Sequence, residues 1–272
     1  MNAAVSPYIA GEHRLALGVE PTDALRGTRV AAAIGMAAFR SPFLSPGSLQ
    51  LEAAKVERHD TGLHVIRQRS DLPATVEIRI FDAPFARYSS DMDRRRFVPR
   101  HFRVPLLPIE QAEQNPPGHR IRRPAMFPGA AYDVPENLTG LRGRVTRGGQ
   151  PLQWCRVEAL AGGVLVGRAH GDDRGEFLLL VESRAAGPGD LVIPLTVEVR
   201  IFGRLVPSPN PGQETIVADP LWDLPVEILP APGAPDPVSS SQQMPAGYGQ
   251  LGSRNVNLTL GLLRGGEPVF AV

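Results

Sequence analysis

The sequence predicts an all-β protein: two tandem antiparallel β-sandwich modules, joined by Pro-rich connecting arms and finished by a C-terminal β-hairpin. Three observations predict it. A seven-residue run recurs in the two halves of the chain. Apolar and polar residues alternate with period two inside that run. Glycine and proline, 28 of each in 272 residues, sit between such runs, where strands must end and turn.

The recurring run is Thr75-Val76-Glu77-Ile78-Arg79-Ile80-Phe81, which returns as Thr196-Val197-Glu198-Val199-Arg200-Ile201-Phe202. Only the fourth position differs, Ile for Val. In each run the apolar residues fall on one side and Glu and Arg on the other. That is the pattern of a sheet with one face on a core and the charged face in water. Two further matches keep the same order. Asp60-Thr61-Gly62 parallels Asp173-Arg174-Gly175, and Leu25-Arg26-Gly27 parallels Leu141-Arg142-Gly143. Three ordered matches favour internal duplication over chance.

Taken in order, residues 1–18 read as an N-terminal arm and first strand, with Leu15, Leu17 and Val19 alternating. Residues 19–108 form the first module. Within it Ala31 to Phe39 is the best helix candidate, but Gly35 interrupts it and a strand or loop is as good a reading. Residues 109–136 are a Pro-rich connector, since proline removes the donors a central strand needs. Residues 137–230 form the second module. Its continuous apolar stretch from Phe177 to Val181 suits a central strand. Residues 231–255 make a Pro/Ser-rich arm. Residues 256–272 resume the alternation at Val256, Leu258 and Leu260, and they predict a hairpin that completes a sheet in this chain or in another subunit. The arms carry apolar anchors, Phe127, Tyr132, Met244 and Tyr248, so they are expected to lie on a surface rather than float.

Composition excludes several classes. Basic and acidic residues number 29 and 28, for a net charge of +1. This gives no general attraction to nucleic acid or acidic membranes. No apolar stretch is long enough to cross a bilayer as a helix, and no Sec signal is visible, so synthesis in the cytoplasm is expected. One cysteine, Cys155, allows neither an internal disulfide nor a four-cysteine zinc site. All but one of the basic residues are arginine, the exception being Lys55.

Residues 137–230 resemble the carboxypeptidase regulatory-like family, a transthyretin-like β-sandwich. The resemblance rests on Leu141-Arg142-Gly143-Arg144-Val145, Gly148-Gly149-Gln150-Pro151-Leu152, Val157-Glu158-Ala159, Gly167-Arg168-Ala169, Asp173-x-Gly175-x-Phe177 and the strand from Thr196 to Phe202. It implies the sandwich fold and an accessory role in binding, spacing or assembly, with no catalytic residues and no cofactor. The first module lacks the Gly-Gly-Gln-Pro hairpin and has His64 where the second has Phe177. The whole-chain plan is also similar to accessory proteins of phage-tail-like contractile injection particles.

No catalytic or nucleotide-binding fingerprint appears. His59-Asp60 and His170-x-Asp172-Asp173 could lend metal ligands, but turn chemistry explains them, and no metal or other cofactor is expected. Cys155 between Trp154 and Arg156 reads as a small core residue before it reads as a nucleophile. The cluster Arg94-Arg95-Arg96 with Arg100 and Arg103 suits a solvated loop or a salt-bridged protein interface, as does the group Arg120, Arg122 and Arg123. The expected function is that of a non-enzymatic structural or adaptor protein within a larger assembly, touching other protein subunits, with self-association through the C-terminal strand as a further expectation. The candidate contacts are Arg94, Arg95, Arg96, Phe127, Tyr132, Val256, Leu258 and Leu260. The alternative is a carbohydrate-binding module with Trp222 or Tyr88 as a stacking platform. An enzyme using Cys155 or a His/Asp site ranks third.

Overall fold

The computed structural model describes residues 14–30, 34–40, 52–59, 61–82, 95–112, 114–136, 138–181, 194–208, 219, 221–234, 243–266 and 268–272. The architecture is nearly all β, as expected. The N-terminal half contributes β1 (Leu15–Val19), β2 (Thr22–Asp23), β3 (Ile34–Arg40), β4 (Glu52–Ala54), β5 (Glu57–Arg58), β6 (His64–Arg67), β7 (Thr75–Asp82), β8 (Arg100–Pro105), β9 (Ile121–Arg122) and β10 (Ala125–Met126). Gly35 marks no helix break, because the described part of that stretch, from Ile34 on, is strand β3; residues 31–33 lie outside the described residues. There Phe81 of the neighbouring strand lies over the glycine, and a Cβ would come within 2.4 Å of its ring.

The C-terminal half contributes β11 (Gly140–Arg147), β12 (Gln150–Pro151), β13 (Arg156–Ala161), β14 (Val164–His170), β15 (Glu176–Leu180), β16 (Leu195–Arg204), β17 (Val226–Ile228), β18 (Tyr248–Leu258), β19 (Leu263–Arg264) and β20 (Val269–Ala271). The two halves share strand order and pairing sense. In one, β4-β3-β7-β8 run side by side, each pair antiparallel; in the other, β14-β13-β16-β18 do the same. Opposite these sheets, β1 pairs antiparallel with β6 and parallel with β9. Likewise β11 pairs antiparallel with β15 and parallel with β19 and β20. The repeated run supplies β7 and β16, an inner strand of each sheet.

In the second half the two sheets face each other across one core. Leu141, Val145, Phe177, Leu179 and Phe270 come from one side, and Val157, Val197, Val199, Ile201, Val256 and Leu258 from the other. The core of the first half joins Leu17, Val19 and Ile66 to Val76, Ile78, Ile80, Phe102 and Val104, and it also takes in Leu178 and Leu180. This explains the apolar run before Val181. Strand β15 lies at the end of its hydrogen-bonded row, not the middle. Its odd and even residues enter two different cores, so both faces are dry.

Four sequence expectations need correction. The stretch 109–136 is no mere connector: it carries a one-turn helix, Ile109–Ala112, and its strands β9 and β10 extend the first half by parallel pairing with β1 and β2. Residues 226–228, assigned to the second module, form β17, which pairs parallel with β8 of the first. The C-terminal segment makes no hairpin. Strand β18 begins at Tyr248, inside the expected arm, and pairs with β16; the chain then turns at Gly261 (φ +72°) and β19 and β20 join β11 of the opposite sheet. Finally, Leu25-Arg26-Gly27 is a turn while Leu141-Arg142-Gly143 is strand, so those two are not structural equivalents. The Asp-x-Gly pair fares better, since Gly62 and Gly175 both adopt positive φ just ahead of β6 and β15. Asp172 fixes the second turn by accepting the Arg174 and Glu176 amides at 2.8 and 2.9 Å.

Candidate functional site

The charged face of β7 is not in water. Glu77 is 0% exposed and the Arg79 side chain 6%. Asp219 and residues 221–229 cross this region as a strap. Its strand β17 extends the sheet alongside β8, and Leu221 and Leu224 pack with Val98, Phe81 and Trp154. Every buried charge beneath it finds an opposite one, as burial requires. Arg79 Nη1 donates to both carboxylate oxygens of Asp219 at 2.8 and 2.9 Å. Glu77 accepts from Arg103 at 2.8 Å and lies 3.1 Å from His101 Nε2.

Where the two halves meet, one carboxylate serves two guanidiniums. Glu227 of β17 accepts from Arg100 of β8 through Nε at 3.0 Å and through Nη2, and from Arg156 of β13 at 3.1 Å. Arg100 also donates to the Ala125 carbonyl and lies over the rings of Phe102 and Phe127, 4.6 and 5.3 Å from their centroids. Phe127 stacks on His170 at 3.7 Å. Burial, together with Arg156 and Arg100, holds the His170 imidazole well below its ordinary range, so it is neutral there. A second tie runs from Arg95 to Asp173 at 3.0 Å. A third is the Trp154 indole, which donates to Asp223 of the strap at 2.6 Å from a backbone at φ +57°, a conformation bulky residues rarely adopt. The halves are thus fastened by paired charge as well as by apolar burial.

This arrangement relocates most of the predicted contact residues. Phe127 and Tyr132 are 3% and 6% exposed. They pin the connector to its own chain, Tyr132 by donating to Asp23 at 2.7 Å. Arg95 is buried in its ion pair, while Arg96 beside it is exposed. Val256 and Leu258 point into the second core, and Leu260 is half-buried in the turn that follows. Arg94 and Tyr88 lie outside the described residues. In the other basic group, Arg122 is fully buried. It donates to the carbonyls of Pro230, Ala231 and Ala234 behind the strap, and to those of His119 and Ile121. Arg95, Arg120 and Arg122 are internal ties, not residues of a solvated loop. Sequence reading missed Glu227 altogether, and it gave no sign that Arg100, Arg156 and His170 meet around it. The signal available was charge inside otherwise apolar strand neighbourhoods, as in Leu224-Pro225-Val226-Glu227-Ile228-Leu229.

Two further features bear on chemistry. Trp222 is half-buried and lines a surface cleft of about 380 Å³ with Arg147, Gln150, Leu152, Arg204 and Ser208. Cys155 is fully buried, and burial pushes its thiol up to about 12, so it stays protonated at neutral pH. Among the described residues no group of three or more His, Cys, Asp or Glu is placed to hold a metal ion. No helix among the described residues is long and apolar enough to cross a membrane.

No protein-family model matches the chain, and no curated protein matches it. The likeness of residues 137–230 to the carboxypeptidase regulatory-like pattern rests on the motif residues alone.

Proposed function

We propose that the chain is a non-enzymatic structural adaptor. On this reading it comprises two copies of one sandwich-like module held as a single body, and it acts through protein contacts within a larger assembly. The observation that carries the reading is the junction around Glu227. A strap from the second half is laid along the edge strand of the first and fastened by Arg100 and Arg156. Such a joint resists hinge motion, because opening it would expose an apolar layer and unpair buried charge. Rigid spacing of two modules is what an accessory subunit of a particle requires, and a phage-tail-like contractile injection particle is one such setting. Balanced charge favours protein partners over nucleic acid. The test is purification of the tagged full chain from its native source. Stoichiometric co-purification with other subunits, surviving high salt, is the expected result; a chain recovered alone under mild crosslinking would overturn the reading.

The Trp222 cleft supports one second reading, a carbohydrate-binding module. An indole face beside Gln150, Ser208 and two guanidiniums can stack on a sugar ring and bond its hydroxyls. Glycan binding that disappears in Trp222→Ala would establish it; no binding by the wild-type chain would remove it.

A further inference from the structure

The repeated run meets two different fates. In the first half its Glu77 and Arg79 side chains are 0% and 6% exposed beneath the strap. In the second half the matching Glu198 and Arg200 side chains are 34% and 35% exposed. They pair with each other, Arg200 using Nε and Nη2. That leaves Nη1, the nitrogen that Arg79 gives to Asp219.

The edges differ in the same way. Strand β8 carries β17, which runs parallel to it opposite His101, Phe102 and Arg103. Pairing registers place Ser253 of β18 where β8 has His101, and Asn255 where it has Arg103. Strand β18 ends its row, and among the described residues no strand pairs with its outer side. The Asn257 carbonyl on that side accepts Arg264 at 3.0 Å. The backbone groups of Ser253 and Asn255 share its direction, since alternate residues of a strand face the same neighbour. Those groups are the counterparts of the ones β17 occupies on β8.

We propose that the outer edge of β18, with the Arg200 face beside it, is a docking site for an extended segment of another protein. The segment runs parallel to β18 and bonds the backbone of Ser253 and Asn255 as β17 bonds that of His101 and Arg103. It carries one acidic residue for Arg200, in the role Asp219 plays for Arg79. It is otherwise uncharged, because the position of Arg100, which binds Glu227, is Gly252 on β18. This rests on the adaptor reading and names the surface through which it acts.

The probe is a labelled peptide with the strap's own sequence, residues 219–229, carrying Asp223→Asn and Glu227→Gln so that Asp219 is its one acidic side chain. Binding to the full-length chain is measured by fluorescence anisotropy, with light scattering to record the chain's own mass. Saturable binding is expected, weakened about tenfold by Arg200→Glu and by Asn255→Pro, which removes an outward donor while leaving the β16 ladder intact. If the proline variant fails to fold, Arg200→Glu decides. No binding, or equal binding by wild type and the charge variant, overturns the proposal. So does a dimer that Arg200→Glu dissolves, since the occupant is then a second copy. Native-source co-purification unaffected by Arg200→Glu would remove this site and leave the adaptor reading standing.

Discussion

The junction between the halves can be broken at one atom. Glu227→Gln keeps the shape of the side chain and one acceptor oxygen, and it removes the carboxylate that Arg100 and Arg156 share. The Arg100, Glu227 and Arg156 side chains are 0%, 3% and 6% exposed, so water cannot replace the lost charge without opening the joint. Removing one partner of a buried ion pair costs about 3 to 5 kcal/mol, against a total stability of about 5 to 15 kcal/mol for an ordinary domain. With a urea slope of about 3 kcal/mol per molar, the midpoint should fall by about 1 to 1.7 M. The assay is equilibrium urea unfolding followed by tryptophan fluorescence, which reports on Trp154 at the same joint. Replacing all three together, Arg100→Met, Arg156→Met and Glu227→Leu, should cost less than Glu227→Gln alone, because no uncompensated charge remains. If Glu227→Gln stays within about 1 kcal/mol of wild type, the guanidiniums are hydrated and burial of charge does not hold the halves together.

Other outcomes follow from the same geometry. His64, His101 and His170 are each held below the ordinary imidazole range, first by burial. Their folded values lie below their unfolded ones, so the stability they contribute is present above about pH 6.5 and is lost as pH falls towards the folded values, at up to about 1.4 kcal/mol per pH unit for each. Urea midpoints between pH 7.5 and 5.5 should therefore decline, and His170→Gln should flatten the slope; a flat wild-type profile contradicts this. Asp82, Asp172, Asp173 and Asp223 are shifted upward by burial and act in the opposite sense in a more acidic window, where protonation favours the folded chain. Trp154→Phe removes the donor to Asp223 and should cost about 1 to 3 kcal/mol by calorimetry, and Asp223→Ala in that background should recover part of it. Gly175→Ala should cost more than about 1 kcal/mol, because φ is +70° and a Cβ would sit 2.5 Å from the Val145 carbonyl; unchanged thermal unfolding would contradict the turn geometry.

Much of the fold was legible because strands declare themselves by period. The alternation through Val76, Ile78 and Ile80, and through Val197, Val199 and Ile201, marks the strands that enter the two cores. Positive-φ glycines before β6 and β15 mark the turns. What stayed hidden is non-local. Nothing in Val226-Glu227-Ile228 says that it leaves its own half to extend a sheet in the other, because parallel pairing with β8 is closed by distant chain. For the same reason Phe127 and Tyr132 read as candidate contacts to other subunits when they are buried within this chain. Anchor residues show that an arm is held without showing which surface holds it.

The near absence of lysine takes on meaning in this light. Arg79, Arg100, Arg122 and Arg156 each serve several acceptors from buried positions. A planar guanidinium can do this, and a strongly hydrated ammonium cannot without a larger desolvation penalty. The pattern Glu-x-Arg on a strand is therefore compatible with two environments. Exposed, as at Glu198 and Arg200, the two side chains neutralise each other across one face. Covered, as at Glu77 and Arg79, they separate and take new partners, His101 and Arg103 for the carboxylate and Asp219 for the guanidinium. Alternation with charge on one face cannot by itself distinguish a wet sheet from a docked one. The distinguishing information lies in whatever covers the sheet: for β7 that is the strap within this chain, and for β16 it is the segment that Arg200 and the edge of β18 are placed to receive.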